Sequence, residues 1–253
     1  DAYNGLGGTY QDFNQNDSPY SQISNRMVFA NEDELKLHIS RYISKVYGWM
    51  FLALAVTAIA GYYVASSQVL LSLIMGSRIG FWVVLIGQLF LVGYMSARIN
   101  RISVQTATIL FFLYALSNGL VFGMLFLMYT PASLLTVFGI TAGTFGIMSA
   151  VGYFTKQDLT GFGQLMFFGL IGLIVASVVN YFVQSETLYW ILSYVGVAVF
   201  VGLIAYDTQK IKHYALLDSE DQRNKGAILG ALALYLDFIN LFIYLLRLFG
   251  SRR

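Results

Sequence analysis

Thirteen of the 253 residues are acidic, and two of them, Asp207 and Asp237, stand inside long apolar runs. Asp207 lies in Gly202-Leu203-Ile204-Ala205-Tyr206-Asp207-Thr208-Gln209 and Asp237 in Leu234-Tyr235-Leu236-Asp237-Phe238-Ile239-Asn240. No glutamate shares that position. A carboxylate deep in a bilayer costs about 2.5–3.5 kcal/mol on insertion scales, so it persists where it is paired, water-lined or functional. Two carboxyls brought close cannot both ionise cheaply, and one then keeps a proton. Proton exchange is therefore the chemistry these residue types offer.

The surroundings of the two aspartates differ. Gly226, Gly230, Ala233, Asp237, Asn240 and Tyr244 step by three or four and form one small, polar face of a helix, with Leu, Phe and Ile opposite. That helix belongs at the centre of a bundle. Asp237 lies twelve residues beyond Lys225, about 18 Å along a helix and close to the bilayer midplane. Asp207 lies three residues before Lys210, about 4.5 Å from the interface by the same rise. Spacing alone does not bring the two together. Arg98, at the end of Tyr94-Met95-Ser96-Ala97-Arg98, has a depth similar to that of Asp207, so an ion pair between them is physically reasonable, as is a snorkelling anchor. Asn240, Gln88, Asn118 and Asn180 are further polar residues that could line a pathway or bond neighbouring helices.

Composition narrows the class. Hydrophobic residues make up 57% and charged residues 11%, with a mean hydropathy of +0.66. Soluble domains carry roughly 25% charged residues, so there is too little charge here to cover a soluble surface. The class is an all-α polytopic membrane protein, and basic stripes for nucleic acid are missing. With no Cys, disulfides, thiolate metal sites and thiol catalysis are excluded. His38 and His213 fall outside the apolar runs, no phosphate-cradling loop is present, and Gly precedes neither aspartate as an intramembrane aspartic protease would require. The expectation is a protein that is not an enzyme and uses no cofactor.

Residues 1–40 are polar and rich in Gly, Asn, Gln and Ser, and read as a flexible cytoplasmic tail. Within it, Glu32-Asp33-Glu34 opens a short amphipathic helix through Lys45. Residues 41–250 then form one transmembrane domain, followed by a basic tail at 251–253. Its apolar runs cover 46–66, 79–97, 102–128, 133–154, 164–183, 188–208 and 227–249, each about the length needed to cross roughly 30 Å of hydrocarbon. The charged stretch 209–226 reads as the longest water-facing linker. With the N-terminus inside, ten Lys and Arg lie near the inner face against Arg78, Arg247, Arg252 and Arg253 outside. The last three disagree with that rule, so either the C-terminus crosses or the last run is partly re-entrant; its unbroken length favours seven spans. Gly119 and Gly123, Gly139 and Gly143, and Gly226 and Gly230 have the spacing of close helix packing, expected within one bundle.

Several stretches resemble the Bax inhibitor-1 family. They are Phe200-Val201-Gly202-Leu203-Ile204-Ala205-Tyr206-Asp207-Thr208-Gln209-Lys210-Ile211-Lys212, Gly230 to Phe242 around Asp237, and Leu246-Arg247-Leu248-Phe249-Gly250. Val46-Tyr47-Gly48-Trp49-Met50 and Thr155-Lys156-Gln157-Asp158-Leu159-Thr160-Gly161-Phe162-Gly163 look like its bacterial inner-membrane branch. The likeness covers roughly 40–250. It implies seven helices with the last surrounded by the other six, in a bacterial inner membrane. It also implies a pH-sensitive calcium leak in which Asp207 and Asp237 share a proton, with Arg98 pairing Asp207 in the closed state. Some members carry an acidic residue earlier in the second helix, where this chain has Gln88.

On that reading the permeant or regulatory ions are Ca²⁺ and H⁺, bound weakly and transiently by Asp207 and Asp237, because two carboxylates are too few for a tight calcium cage. Two other readings stand beside it. One is a proton-coupled cation antiporter using the same aspartates. The other is a non-transport regulator that binds a membrane protease or other membrane proteins.

Overall fold

The computed structural model describes residues 32–75 and 78–253. The described residues form eight helices: α1 (Glu32–Ser66), α2 (Gln68–Met75), α3 (Arg78–Arg98), α4 (Val104–Met128), α5 (Pro131–Phe154), α6 (Thr160–Val183), α7 (Glu186–Tyr214) and α8 (Glu220–Phe249). The part of the expected tail before residue 32 lies outside the described residues. Helix boundaries follow local chemistry. Ser103, Thr130 and Ser185 cap α4, α5 and α7 by accepting from the backbone N–H three residues on, and Pro131 occupies the first turn of α5 where no N–H is needed.

Six of these helices (α1 and α4 to α8) are long and apolar enough to cross a membrane, and α3 is a shorter apolar helix. The chain is thus an all-α polytopic membrane protein, and each of the seven apolar runs lies on its own helix. Three boundaries differ from the sequence reading. The amphipathic segment from Glu32 and the first span are one continuous helix of 35 residues. The short α2 fills the first connection. Most of the supposed linker 209–226 is helical, because α7 runs on to Tyr214 and α8 starts at Glu220. The polar side chains of that stretch find partners inside the fold: Lys212 Nζ donates to the Tyr153 carbonyl at 2.8 Å, and Arg223 Nη1 to the Leu217 carbonyl at 2.7 Å. The start of α1 holds the turn from the side, with His38 Nε2 3.0 Å from the Ala215 carbonyl and Tyr42 Oη donating to the Arg223 carbonyl at 2.8 Å.

Helix α8 is central. Of its most apolar 18-residue stretch 67% is buried, against 11% for α6. It packs on α1, α4, α5 and α7. Helix α3 leans chiefly on α4 and α6 on α7, with Val92 and Ser96 of α3 sharing a cavity wall with Gly230 and Ala233 of α8. Nor is α8 re-entrant, being an unbroken helix of 30 residues, about 45 Å. Its end is fastened. Arg252 forms an antiparallel bridge with Tyr129, Thr130 N–H donates to the Ser251 carbonyl, and Arg253 N–H to the Met128 carbonyl. Residues 251–253 therefore lie against the α4–α5 turn.

Small residues set the helix spacings. A Cβ on Gly119 would overlap Ala60, and one on Gly123 would stand 2.5 Å from Val64 Cγ1, so α1 and α4 approach through this pair. Gly226 and Gly230 face Tyr214 and Ile211 of α7. Gly139 and Gly143 do not follow, since a Cβ at either would meet nothing within 4 Å. The contrast is testable by thermal unfolding in detergent. Gly123→Leu is expected to lose about 1–3 kcal/mol through overpacking, whereas Gly139→Leu leaves the midpoint unchanged. Equal losses would contradict the assigned α1–α4 contact.

Candidate functional site

Asp207 and Asp237 are brought together by the α7–α8 hairpin. A Cβ on Gly226 would stand 3.1 Å from Tyr214 Cβ, and one on Gly230 2.7 Å from Ile211 Cγ1, which fixes the antiparallel register. Continued down the pair, this register sets Asp207 level with Ala233, and both line the same cavity. Asp237 is then one helical turn further, about 6 Å along the axis, within side-chain reach. The depth difference inferred from spacing arose from treating Lys210 and Lys225 as marks of one interface. In the structure α7 continues past Lys210, and α8 begins five residues before Lys225.

Asp237 is 3% exposed, and its Oδ2 accepts no hydrogen bond from a protein N–H or O–H among the described residues. The Asp207 carboxyl is its charged neighbour. Ionised carboxylates only accept, so a hydrogen bond between the two would need a proton on one of them. The half-buried Asp207 opens onto a cavity of about 330 Å³ lined also by Val92, Ser96, Lys210, Tyr214 and Gly230. Roomier cavities of about 570 and 420 Å³ are apolar clefts along α1 and α5 that contain neither aspartate.

Lys210, one turn on from Asp207 along α7, is the cation that acts on it, and both line this cavity. Its ammonium lies 5.7 Å from the Tyr206 ring centroid and 6.0 Å from that of Tyr214. Sequence reading had counted it only among the inner-face cations, although its place one turn after Asp207 was the available signal. Arg98 is not brought to Asp207. Among the described residues the ion pairs within 4.0 Å join Lys36 to Glu32 and Asp33, and Lys225 to Asp221. The reason is helical phase. Val92 and Ser96 put one face of α3 on the cavity, and Arg98, two residues on, points about 200° away into an exposed position.

The remaining polar candidates bond locally. Gln88 Nε2 donates to Ser117 Oγ at 3.4 Å, linking α3 to α4. Asn240 Nδ2 donates to the Leu236 carbonyl and Asn118 Nδ2 to the Tyr114 carbonyl, each within its own helix. Asn180 Oδ1 accepts from Ser185 N–H and closes the α6–α7 turn. None of the four lines the Asp207 cavity. On another face of α8, Tyr235 Oη and Thr57 Oγ1 are 2.6 Å apart and buried among α1, α4 and α8. Beyond Asp237, aromatic rings fill the bundle: Phe238 meets Phe138 and Phe145 with centroids 5.5 Å apart, and Phe242 stacks on Phe122 at 5.7 Å.

The residues around Asp207 lock α7 to α5 and α6. A Cβ on Gly152 would overlap the Ala205 carbonyl, and one on Gly163 the Tyr206 ring. Gln209 spans the α5–α6 loop, donating to the Gln157 carbonyl at 2.7 Å and accepting from Leu159 N–H at 2.8 Å. The stretches 155–163 and 200–212 are therefore two sides of one joint. In the same loop, Asp158 Oδ1 accepts from the Thr160 hydroxyl and N–H, which holds its carboxyl below the ordinary range. A depressed carboxyl orders the start of α6 above the ordinary aspartate range, and that contribution is lost as pH falls through the lowered value. Amide exchange of residues 160–163 is thus expected to accelerate only below the ordinary range, and Thr160→Val to move the acceleration to higher pH. No difference between the two proteins would contradict the assignment.

A family model described as inhibitor of apoptosis-promoting Bax1 matches residues 39–253. The inner membrane protein YbhL of Escherichia coli is 48% identical over 218 residues, which is 85% of this chain and 93% of that protein. An uncharacterized protein of Borreliella burgdorferi is 41% identical over 230 residues, 90% of this chain and 99% of that one.

Proposed function

The chain belongs to the Bax inhibitor-1 family, and on that premise we propose that it is a calcium-permeable leak governed by the protonation of Asp207 and Asp237. It resides in the inner membrane, as the name of its Escherichia coli relative suggests, with its N-terminus in the cytoplasm as the Lys and Arg bias indicates. What supports the reading is the meeting of two carboxyls inside the bundle, with Asp237 Oδ2 buried without a partner among the described residues and Asp207 opening onto a cavity.

With one proton shared, the two aspartates carry a single negative charge, which Lys210, one turn along α7 from Asp207, balances. A second proton leaves no negative charge to attract a divalent cation. Loss of the shared proton doubles the negative charge and strengthens the hold on both Lys210 and the incoming cation. Conduction needs binding that is favourable enough to enter and weak enough to leave. The singly protonated state meets both conditions. Oxygen donors suit Ca²⁺, and two carboxyls alone bind it transiently. Aromatic rings pack beyond Asp237, so passage requires them to part.

Calcium flux into liposomes is therefore expected to be bell-shaped in pH, its two limbs being the macroscopic titrations of the pair. Asp207→Asn and Asp237→Asn should each lower flux at the maximum by at least about tenfold, the loss expected when a desolvated charge contact is removed. Flux and pH profile untouched by both substitutions would end the proposal. A proton-sharing pair also suits a proton-coupled antiporter. Flux that requires an opposing ion gradient would select that reading, since a leak requires none. Lys210 supplies a separate test. Lys210→Met should raise flux at the neutral limb severalfold, while Lys210→Arg retains the wild-type profile. Identical profiles for all three proteins would remove Lys210 from the mechanism.

A further inference from the structure

Three arginines (Arg247, Arg252 and Arg253) collect at the end of the bundle opposite the start of α1, where the bias of basic residues toward the other face leaves them unexplained. Two of them converge. Arg247 and Arg252 line a polar cavity of about 510 Å³ between the ends of α6, α7 and α8, with Asn180, Gln184, Glu186 and Trp190 also in its wall. The Arg247 guanidinium lies 5.1 Å from the Tyr244 ring centroid and 5.6 Å from that of Tyr189. Arg252 Nη2 donates to Tyr189 Oη at 3.4 Å. Among the described residues neither arginine has a carboxylate within 4.0 Å, and Glu186 is the one acidic residue in the wall, so the cavity carries a net positive charge.

The site is held ready. Stacking on two tyrosines limits the guanidinium of Arg247, and the bridge between Tyr129 and Arg252 fixes the backbone of the second arginine. The turn that forms the other wall is fixed as well, with Gln184 in the left-handed conformation at φ 55° and Asn180 bonded to Ser185 N–H. Its position at the ends of three helices is the headgroup level, where Trp190 presents an amphipathic ring. Guanidinium forks match phosphate oxygens, and basic pockets between membrane helices take anionic headgroups.

We propose that the cavity between the ends of α6, α7 and α8 binds the phosphate of an anionic phospholipid, with Arg247 and Arg252 sharing its oxygens. Lipid bound there ties the end of α8, the helix that carries Asp237, to α6 and α7. A free phosphate has the same chemistry, and the test separates the two sources.

The full chain is purified in a neutral detergent and its thermal midpoint is followed on adding phosphatidylglycerol, phosphatidylcholine or inorganic phosphate. Phosphatidylglycerol is expected to raise the midpoint by about 5 °C at saturation, and the other two to leave it unchanged. Arg247→Gln/Arg252→Gln should keep the detergent midpoint and lose the rise. Should that protein fold poorly, Arg252→Gln alone, at an exposed side chain, decides through a weakened rise. A full rise in Arg252→Gln, or an equal rise with phosphatidylcholine, would overturn the proposal. A rise with inorganic phosphate as large as that with phosphatidylglycerol would assign the cavity to a free anion and overturn it likewise.

Discussion

The close approach of two carboxyl groups inside an apolar bundle sets the terms for the rest of this fold. Neither aspartate could remain there alone and ionised without a cost of several kcal/mol. The pairing of α7 with α8 brings the two together. Gly226 and Gly230 admit Tyr214 and Ile211, and Gly196 admits Tyr244, so the hairpin closes along its whole length. Helix α8 is then enclosed by α1, α4 and α5 on its other sides, leaving Asp237 buried and Asp207 with an opening.

The two ends of the bundle carry different electrostatics. At the end where α1 starts, basic side chains are tied into the structure: Lys212 and Arg223 donate to backbone carbonyls, Lys225 pairs with Asp221 at 2.8 Å, and Lys210 faces Asp207. At the other end Arg247 and Arg252 lie on aromatic rings and hydroxyls without a carboxylate in contact. The first arrangement surrounds the cavity beside Asp207. The second leaves positive charge available to something outside the chain. The aromatic packing of Phe238 and Phe242 lies between the two ends.

Membrane class, the seven apolar helices and the rarity of acidic residues within them were legible in the sequence, because hydrocarbon thickness fixes span length and the cost of a buried charge makes acidic residues rare. The small face of α8 was legible for the same kind of reason, since a period of three to four residues places Gly226, Gly230 and Asp237 together. The family motifs were legible as well, and their meaning is physical: 155–163 and 200–212 are joined by Gln209 and by the close approaches at Gly152 and Gly163.

Distances between helices were not legible. The register of α7 against α8 depends on where Tyr214 and Ile211 seat on two glycines, and hydropathy records nothing of this, so the aspartates looked more than a helical turn apart in depth. The phase of α3 likewise decides that Ser96 rather than Arg98 faces the cavity, leaving Lys210 as the nearby cation. The sequence by itself determined which side chains a membrane would force into company, because burial acts on residue type. Tertiary structure alone decided which of them meet, because contact depends on the rotation and sliding of rigid helices, and these are set by packing at a few small residues.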